Sequence, residues 1–358
     1  MKVVVVGAGY AGTMAANKVA AKVRGAQVTM VNPRAEFVER VRLHQQVAGT
    51  CHAATPLAEM VGDRVTTLVG SVDEIGDGTV TMSDGTGLEF DYLFVAVGST
   101  VDPLPGTVAV GTWEGAQDAR EQLERLAAGA VVTVVGGGLT GLETAAEIAE
   151  ARTDLTIRLV SSTVGESLSE GGRQRARSGL ARLGVEIVSD TVTAAADGEV
   201  ILRSGTRLPS DLTLWAVMGT IPDLVARSGL PVDDAGRALV DEYLRSVNDE
   251  RIFVVGDCAA VPGARAACAT AVPQGTHAAN TLARISRNRK PAPYSMGYVG
   301  QAVSLGRRDS VIQVTRRDDS PRRAYLSGRT GAALKEAIVR GAKAAPRTGI
   351  YAWMPGKK

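Results

Sequence analysis

Residues 3–12 read Val3-Val4-Val5-Val6-Gly7-Ala8-Gly9-Tyr10-Ala11-Gly12, and an alanine-rich stretch, Thr13 to Arg24, follows. Four valines in a row suit a strand covered on both faces, and Thr13 to Arg24 reads as a helix. Gly7, Gly9 and Gly12 between them have the spacing of a dinucleotide fingerprint. The first glycine turns the chain sharply, the second leaves room for a pyrophosphate above the helix N-terminus, and the third lets helix and strand pack closely. The alternative is a tight strand–helix turn with no ligand; the position directly after a strand and before a helix favours the dinucleotide.

Outward from this turn, Val28 to Val31 forms the next strand, which Pro33 stops. The strand end, where a carboxylate commonly holds an adenosine ribose, carries Asn32. An amide can still hydrogen-bond a hydroxyl; otherwise Asn32 is a turn residue. Val65 to Val69, Thr79 to Met82 and Leu88 to Phe90 are short strand candidates, with Asp84-Gly85 as a hairpin signal. Leu93 to Val97 is another buried strand, closed by Gly98.

The pattern then repeats. A helix candidate, Trp113 to Ala127, precedes the strand Val131 to Val135 and the turn Gly136-Gly137-Gly138-Leu139-Thr140-Gly141, 129 residues after the first. A helix from Leu142 to Arg152 and a strand from Leu155 to Val160 follow. Two such units predict two nucleotide-binding subdomains. The second ribose position is Ser161, which offers no repulsion to a 2′-phosphate, and the choice between NADH and NADPH stays open. A late apolar strand, Ile252 to Val255, ends in Gly256-Asp257 and is expected to return to the first sheet. The predicted fold is α/β: two Rossmann-like dinucleotide-binding domains, the second inserted in the first, plus a small C-terminal α+β segment. The expected boundaries are 1–105 with 228–290, then 106–227, then 291–358.

Composition narrows the function. The chain has 358 residues, 45% hydrophobic and 22% charged, which is globular rather than disordered. Three cysteines exclude a disulfide scaffold. No apolar run approaches 18 residues and no leader pattern precedes Val3, so a cytoplasmic protein is expected. Residues 284–358 carry 17 Lys and Arg against four Asp and Glu. That basic quarter suits solvent, an acidic partner or peripheral contact with the anionic inner face of the cell membrane. No nucleic-acid-binding pattern accompanies it, and no metal-ligand spacing involves His44, His52 or His277, so neither nucleic acid nor metal is predicted. A homodimer is left open.

With these pieces in order, the chain resembles the two-dinucleotide FAD/NAD(P)H flavoprotein reductases, closest to type II NADH:quinone oxidoreductases and apoptosis-inducing-factor-like flavoproteins. The resemblance covers about residues 1–345. It rests on both glycine turns, on Phe94-Val95-Ala96-Val97-Gly98, and on Arg251-Ile252-Phe253-Val254-Val255-Gly256-Asp257. It implies that Asp257 binds the FAD ribityl side, that Gly256 permits close backbone approach, and that Ala96 and Gly98 border the same cofactor. It implies further that Glu143, after Gly141, lies near the nicotinamide. Phe37 to Gly49 resembles the family's segment past the flavin, which would bring Arg42, His44 and Gln45 to the isoalloxazine. Trp215 to Gly219 resembles the W-x-x-G return out of the NAD(P)H domain. The stretch around Pro273 and Gln274 resembles the one facing the flavin pyrimidine ring; of the two glutamines that quinone reductases carry there, only Gln274 is present, and Thr270 takes the other place.

His44, Glu143 and Gln274 are therefore the candidate catalytic residues, His44 as the acid nearest the flavin. Cys51 stands alone and Cys258 lies ten residues from Cys268, spacings that do not promise a redox pair. The expected activity is hydride transfer from NADH or NADPH to bound FAD, with onward transfer to a quinone or similar small acceptor. The alternatives are an apoptosis-inducing-factor-like redox-sensing protein and a ferredoxin or rubredoxin reductase. For the C-terminus, a helix over Ala332 to Ala344 is predicted, with Leu334, Ile338 and Val339 as its apolar stripe, folded on the core or touching a membrane.

Overall fold

The computed structural model describes residues 1–217 and 219–356, so Met218, inside the Trp215 to Gly219 return, lies outside them, as do the last two lysines. The four valines form β1 (Lys2–Val6), and α1 (Tyr10–Lys22) begins inside the glycine turn, earlier than the predicted Thr13. The early start follows from Gly12. A Cβ there would stand 1.9 Å from the Gly7 carbonyl oxygen, so only glycine lets the helix begin against the strand end.

β2 (Gln27–Asn32), β3 (Val65–Val69), β4 (Tyr92–Val95) and the late strand 252–254 join β1 in a five-stranded sheet whose ladders are all parallel. Its order is 252–254, β4, β1, β2, β3. The late strand thus returns to the first sheet. Val3, Val5, Leu93, Phe94 and Phe253 are fully buried, and the Phe94 and Phe253 rings stack with centroids 4.8 Å apart. Burial of each such side chain stabilises by about 1.5–3 kcal/mol relative to exposure.

The second sheet repeats the plan. It contains β5 (Val108–Ala109), β6 (Val131–Val135), β7 (Thr156–Val160), β8 (Glu186–Val188) and β9 (Leu212–Trp215), in the order β5, β9, β6, β7, β8. Around it lie α2 (Trp113–Arg125), α3 (Leu139–Ala151) and α4 (Glu170–Arg182). Each unit also carries a three-stranded antiparallel meander, 72–89 in the first and 192–209 in the second. The two connections between the units meet at an antiparallel bridge of Thr100 with Thr220.

After β10 (Ile252–Val254) come α5 (Cys268–Ile285), the antiparallel strands β11 (Gly300–Ser304), β12 (Ser310–Thr315) and β13 (Pro321–Ser327), and α6 (Gly328–Thr348). α4 and β13 were not anticipated. α4 is mostly charged, with Gly172, Ala176, Gly179 and Leu180 buried, and β13 is an exposed edge strand with no alternation to read.

α6 departs from expectation in length and in face. Of the predicted stripe only Val339 is buried, whereas Leu334 and Ile338 are 42% and 48% exposed. The inward face, 332-335-336-339-342-343, brings charges: Lys335 to Glu143, Glu336 to Arg42 and Lys343 to Glu39. Glu39, Arg42 and Glu143 are buried. An unpaired buried charge costs several kcal/mol, so partner charges outweigh the two leucine-sized side chains left in solvent. Among the described residues no helix is long and apolar enough to cross a membrane.

Candidate functional site

Both glycine turns sit at the C-terminal end of the central strand of their sheet, beside the point where strand order reverses, the usual place for a nucleotide crevice in open α/β sheets. Gly7 has φ +100°, and a Cβ there would stand 2.4 Å from the Ala96 carbonyl oxygen. Around Gly9 the same Cβ would meet nothing within 4 Å. The second turn matches: Gly136 has φ +119°, Gly138 faces open space, and a Cβ on Gly141 would stand 1.8 Å from the Gly136 oxygen. The first and third glycines are thus closed by packing, while the middle one is open, as a backbone approached by a phosphate requires.

The first crevice is completed by three other segments. Ser99, after Gly98, donates its hydroxyl to Asp257 (2.7 Å), and Arg40 donates to the Ser99 carbonyl (3.0 Å) and lies 3.7 Å from Asp257. Gly256, at φ +86°, donates its N–H to Gln274 Oε1 (2.7 Å). On α5 a Cβ at Gly275 would stand 2.3 Å from the Ala11 oxygen, which draws that helix against α1. Pro273, six residues into α5, removes the N–H that would bond Ala269. Asn32 ends β2 beside the turn. Its side chain accepts from the Ala8 N–H (3.0 Å) and donates to the Arg34 carbonyl (2.8 Å), leaving one amide N–H for a ribose hydroxyl.

Arg42 is held by protein partners. Its guanidinium is committed to Glu39 (3.2 Å), Gln45 (2.9 Å) and Glu336 (2.8 Å), and Arg40, two residues earlier, is the one that reaches Asp257. The segment 40–42 is a single 3₁₀ turn, so a shift of two residues swings a side chain to another side. Nothing in the sequence singles out Arg40 or Ser99.

His44 and Glu143, 99 positions apart in the chain, do come together, with two residues that sequence reasoning missed. Glu143 accepts from the Ser304 N–H (3.0 Å) and pairs with Lys335; Lys335 also donates to the Ala302 carbonyl (2.9 Å). His44 Nδ1 stands 3.8 Å from Glu143, and its Nε2 is 3.4 Å from the Ser304 hydroxyl. Burial pushes the His44 imidazole down to about 4, against the pull of Glu143. Burial alone would raise the Glu143 carboxyl, but Lys335, His44 and the Ser304 N–H hold it below the usual range. Near neutrality the cluster is therefore an ion pair of Glu143 and Lys335 beside a neutral imidazole. A neutral ring has no readily released proton, which weighs against His44 as the acid. Gln274 stays with Gly256 and has no bond to this group.

At the second strand end, Ser161 donates its hydroxyl back to the Thr163 carbonyl (2.7 Å). Gly219 follows β9 at φ +136° with open space on its Cβ side. Cys51, Cys258 and Cys268 are all free thiols. Cys258 is fully buried against the Val95 and Val255 carbonyls, and burial pushes it up to about 11, which makes it a packing residue.

Comparison with known proteins agrees with this arrangement. The pyridine nucleotide-disulphide oxidoreductase family matches residues 1–281. An NADH dehydrogenase-like protein of Mycobacterium tuberculosis is 32% identical over 294 residues, covering 72% of this chain and 73% of that protein. Rhodocoxin reductase of Rhodococcus erythropolis is 28% identical over 290 residues, covering 73% and 66%. The crystal structure of the sulfide:quinone oxidoreductase of Aquifex aeolicus superposes with a TM-score of 0.82 at 18% identity, over 97% of this chain and 92% of that one.

Proposed function

The chain belongs to the pyridine nucleotide-disulphide oxidoreductase family, and from that premise we propose that it passes electrons from NAD(P)H through bound FAD to a quinone-type small acceptor. It is an FAD-dependent NAD(P)H oxidoreductase; the acceptor and the residue roles are the proposed part. FAD is assigned to the unit of residues 1–105 and 228–290, and NAD(P)H to residues 106–227. When bound, FAD supplies the two-electron store that takes hydride from reduced nicotinamide and passes the pair onward. Overall, NAD(P)H, one proton and a quinone give NAD(P)⁺ and a hydroquinone.

This chain's own residues bind, orient and neutralise. Gly7, Gly9 and Gly12 open the backbone to the FAD pyrophosphate, with Asn32 toward the ribose and Ala96 and Gly98 along the edge. Asp257, braced by Ser99 and Arg40, would hold the ribityl hydroxyls of bound FAD, and Gly256 would let the backbone come close. Gly136, Gly138 and Gly141 do the same for NAD(P)H, with Ser161 at its ribose and Gly219 at the exit of β9. Glu143 and Lys335 hold one fixed charge of each sign where two-electron reduction of an acceptor builds negative charge, and Lys335 keeps one N–H beyond its two bonds. His44 positions Ser304 and Glu143 as a neutral ring.

The observation that carries the reading is this largely enclosed Glu143–Lys335 pair, drawn from two distant segments, with Glu143 two residues after Gly141 of the second glycine turn. Cys51, Cys258 and Cys268 form no disulfide and Cys258 is a buried packing residue, which favours direct transfer from the flavin to the acceptor. A second reading, an acidic iron–sulfur protein as acceptor, is favoured by exposed Arg322 and Arg323 on β13. Steady-state oxidation of NADH and NADPH with menadione, against the same assay with an acidic [2Fe–2S] protein, separates them. Faster turnover with the iron–sulfur protein overturns the quinone reading.

A further inference from the structure

The geometry points to a 2′-phosphate site: we infer that Arg173 and Arg177 of α4 recognise the adenosine 2′-phosphate of NADPH and make it the preferred reductant. The inference rests on reading the second glycine turn as the NAD(P)H crevice.

An open cleft of about 670 Å³ lies directly beyond that strand end. One wall is Ser162, Thr163 and Val164, the residues that follow Ser161; the other is a single face of α4, with Glu170, Arg173, Gln174 and Arg177. Residues three and four apart share a helix face, so this wall is continuous. The cleft is joined to the turn itself. The Gly165 N–H donates to the Gly137 carbonyl (2.8 Å), and Gly137 is packed so closely on Thr163 and Ser161 that a Cβ there would stand 1.9 Å from the Thr163 oxygen. A ribose seated at Ser161 would lie beside this cleft.

Charge decides what that face accepts. Of the arginines near the turn, Arg158 is buried and bound to Glu186 and the Pro209 carbonyl, and Arg175 and Arg182 are both bound to Asp309. Arg173 and Arg177 have no ion pair among the described residues, and both line the cleft. Glu170 is the one carboxylate in its lining, so two guanidinium groups face one acid. Ser162 and Thr163, both exposed, stand on the opposite wall. A carboxylate, the group that would hold a free 2′-hydroxyl and repel a phosphate, is missing from 161–164. Guanidinium groups match phosphate oxygens with paired, charge-assisted hydrogen bonds, so a dianion gains more here than a hydroxyl.

Calorimetric titration of the FAD-loaded protein with 2′,5′-ADP and with 5′-AMP tests this without turnover. The expected result is binding of 2′,5′-ADP at least about tenfold tighter than 5′-AMP. Arg173→Ala and Arg177→Ala should each weaken 2′,5′-ADP by about threefold or more and leave 5′-AMP within about twofold, with Arg177→Lys in between. In the steady state the same variants should raise KM for NADPH and leave KM for NADH unchanged. Equal affinity of the wild type for both probes, or arginine variants that weaken both alike, overturns the phosphate site and leaves the NAD(P)H crevice standing. Failure of both probes to bind overturns the crevice, and this inference with it.

Discussion

Glu143→Gln keeps the shape of its side chain and removes its charge, which leaves Lys335 as a largely enclosed cation with only carbonyl partners. Stranding one member of a buried pair costs about 3–5 kcal/mol, so urea denaturation of the variant should show a loss on that order. Rapid reduction of its flavin with slow menadione turnover is the accompanying kinetic expectation. The histidines set an acid limit. His44 and His277 both fall from an ordinary 6.5 to about 4, in each case chiefly through burial. A base whose folded value is depressed leaves the unfolded chain binding more protons between the two values. Stability is therefore full above about pH 6.5 and declines as pH falls toward 4, by up to about 3 kcal/mol for each ring. Denaturation midpoints between pH 7.5 and 5 measure this, and His44→Asn should flatten the slope; an unchanged slope shows that the ring is not the titrating group. At the second strand end, Ser161→Asp sets a carboxylate where the 2′ position arrives, and should move the ratio of kcat/KM toward NADH by about tenfold.

The same separation of packing from binding applies to the turns as elements. Gly9 ends the turn in an extended backbone, φ −76° and ψ −168°, with open space on its Cβ side. Gly9→Val is therefore expected to leave the melting temperature of the flavin-free protein nearly unchanged, while FAD released by heat and counted by absorbance drops sharply. Gly12→Ala, only three positions on, drives a methyl into the Gly7 carbonyl and should destabilise the protein with or without flavin. Equal behaviour of the two variants would mean that the turn serves packing only. α6 makes the corresponding point about helices. Its pattern looked amphipathic, but the side turned inward is selected by the buried charges it meets rather than by its leucine and isoleucine.

For the molecule as a whole, α6 ties the C-terminal segment to both nucleotide-binding units, since it supplies countercharges to Glu39 and Arg42 in the first and to Glu143 in the second. Truncation after Gly331 removes all three, and should lower the melting temperature by well over about 5 °C, at roughly 2–4 °C per kcal/mol. The basic surface remains outside this packing. Cosedimentation of the full chain with anionic vesicles is expected to be weak and to vanish near about 0.5 M salt, because electrostatic attraction to a membrane fades within a Debye length. Binding that resists salt would mean that exposed Leu334 and Ile338 enter the lipid.

Two strand–turn–helix units, their glycine spacing and the late return of Ile252 to Asp257 were legible in the chain because they are local: periodicity and backbone sterics act over a few residues. The family and its cofactors followed from the same short-range signals. The site's charged members were not legible, because their partners lie far along the chain. Lys335 is 192 residues from Glu143, and Glu336 is 294 from Arg42, so no window of sequence contains both halves of either pair. Likewise Arg40 rather than Arg42 reaches Asp257 only because a 3₁₀ turn rotates them apart, and the arginine face of α4 becomes a wall only once the Ser162 loop is folded opposite it. Local sterics determine where a nucleotide can lie. Burial, which forces each charge to find its opposite across the fold, determines what surrounds it.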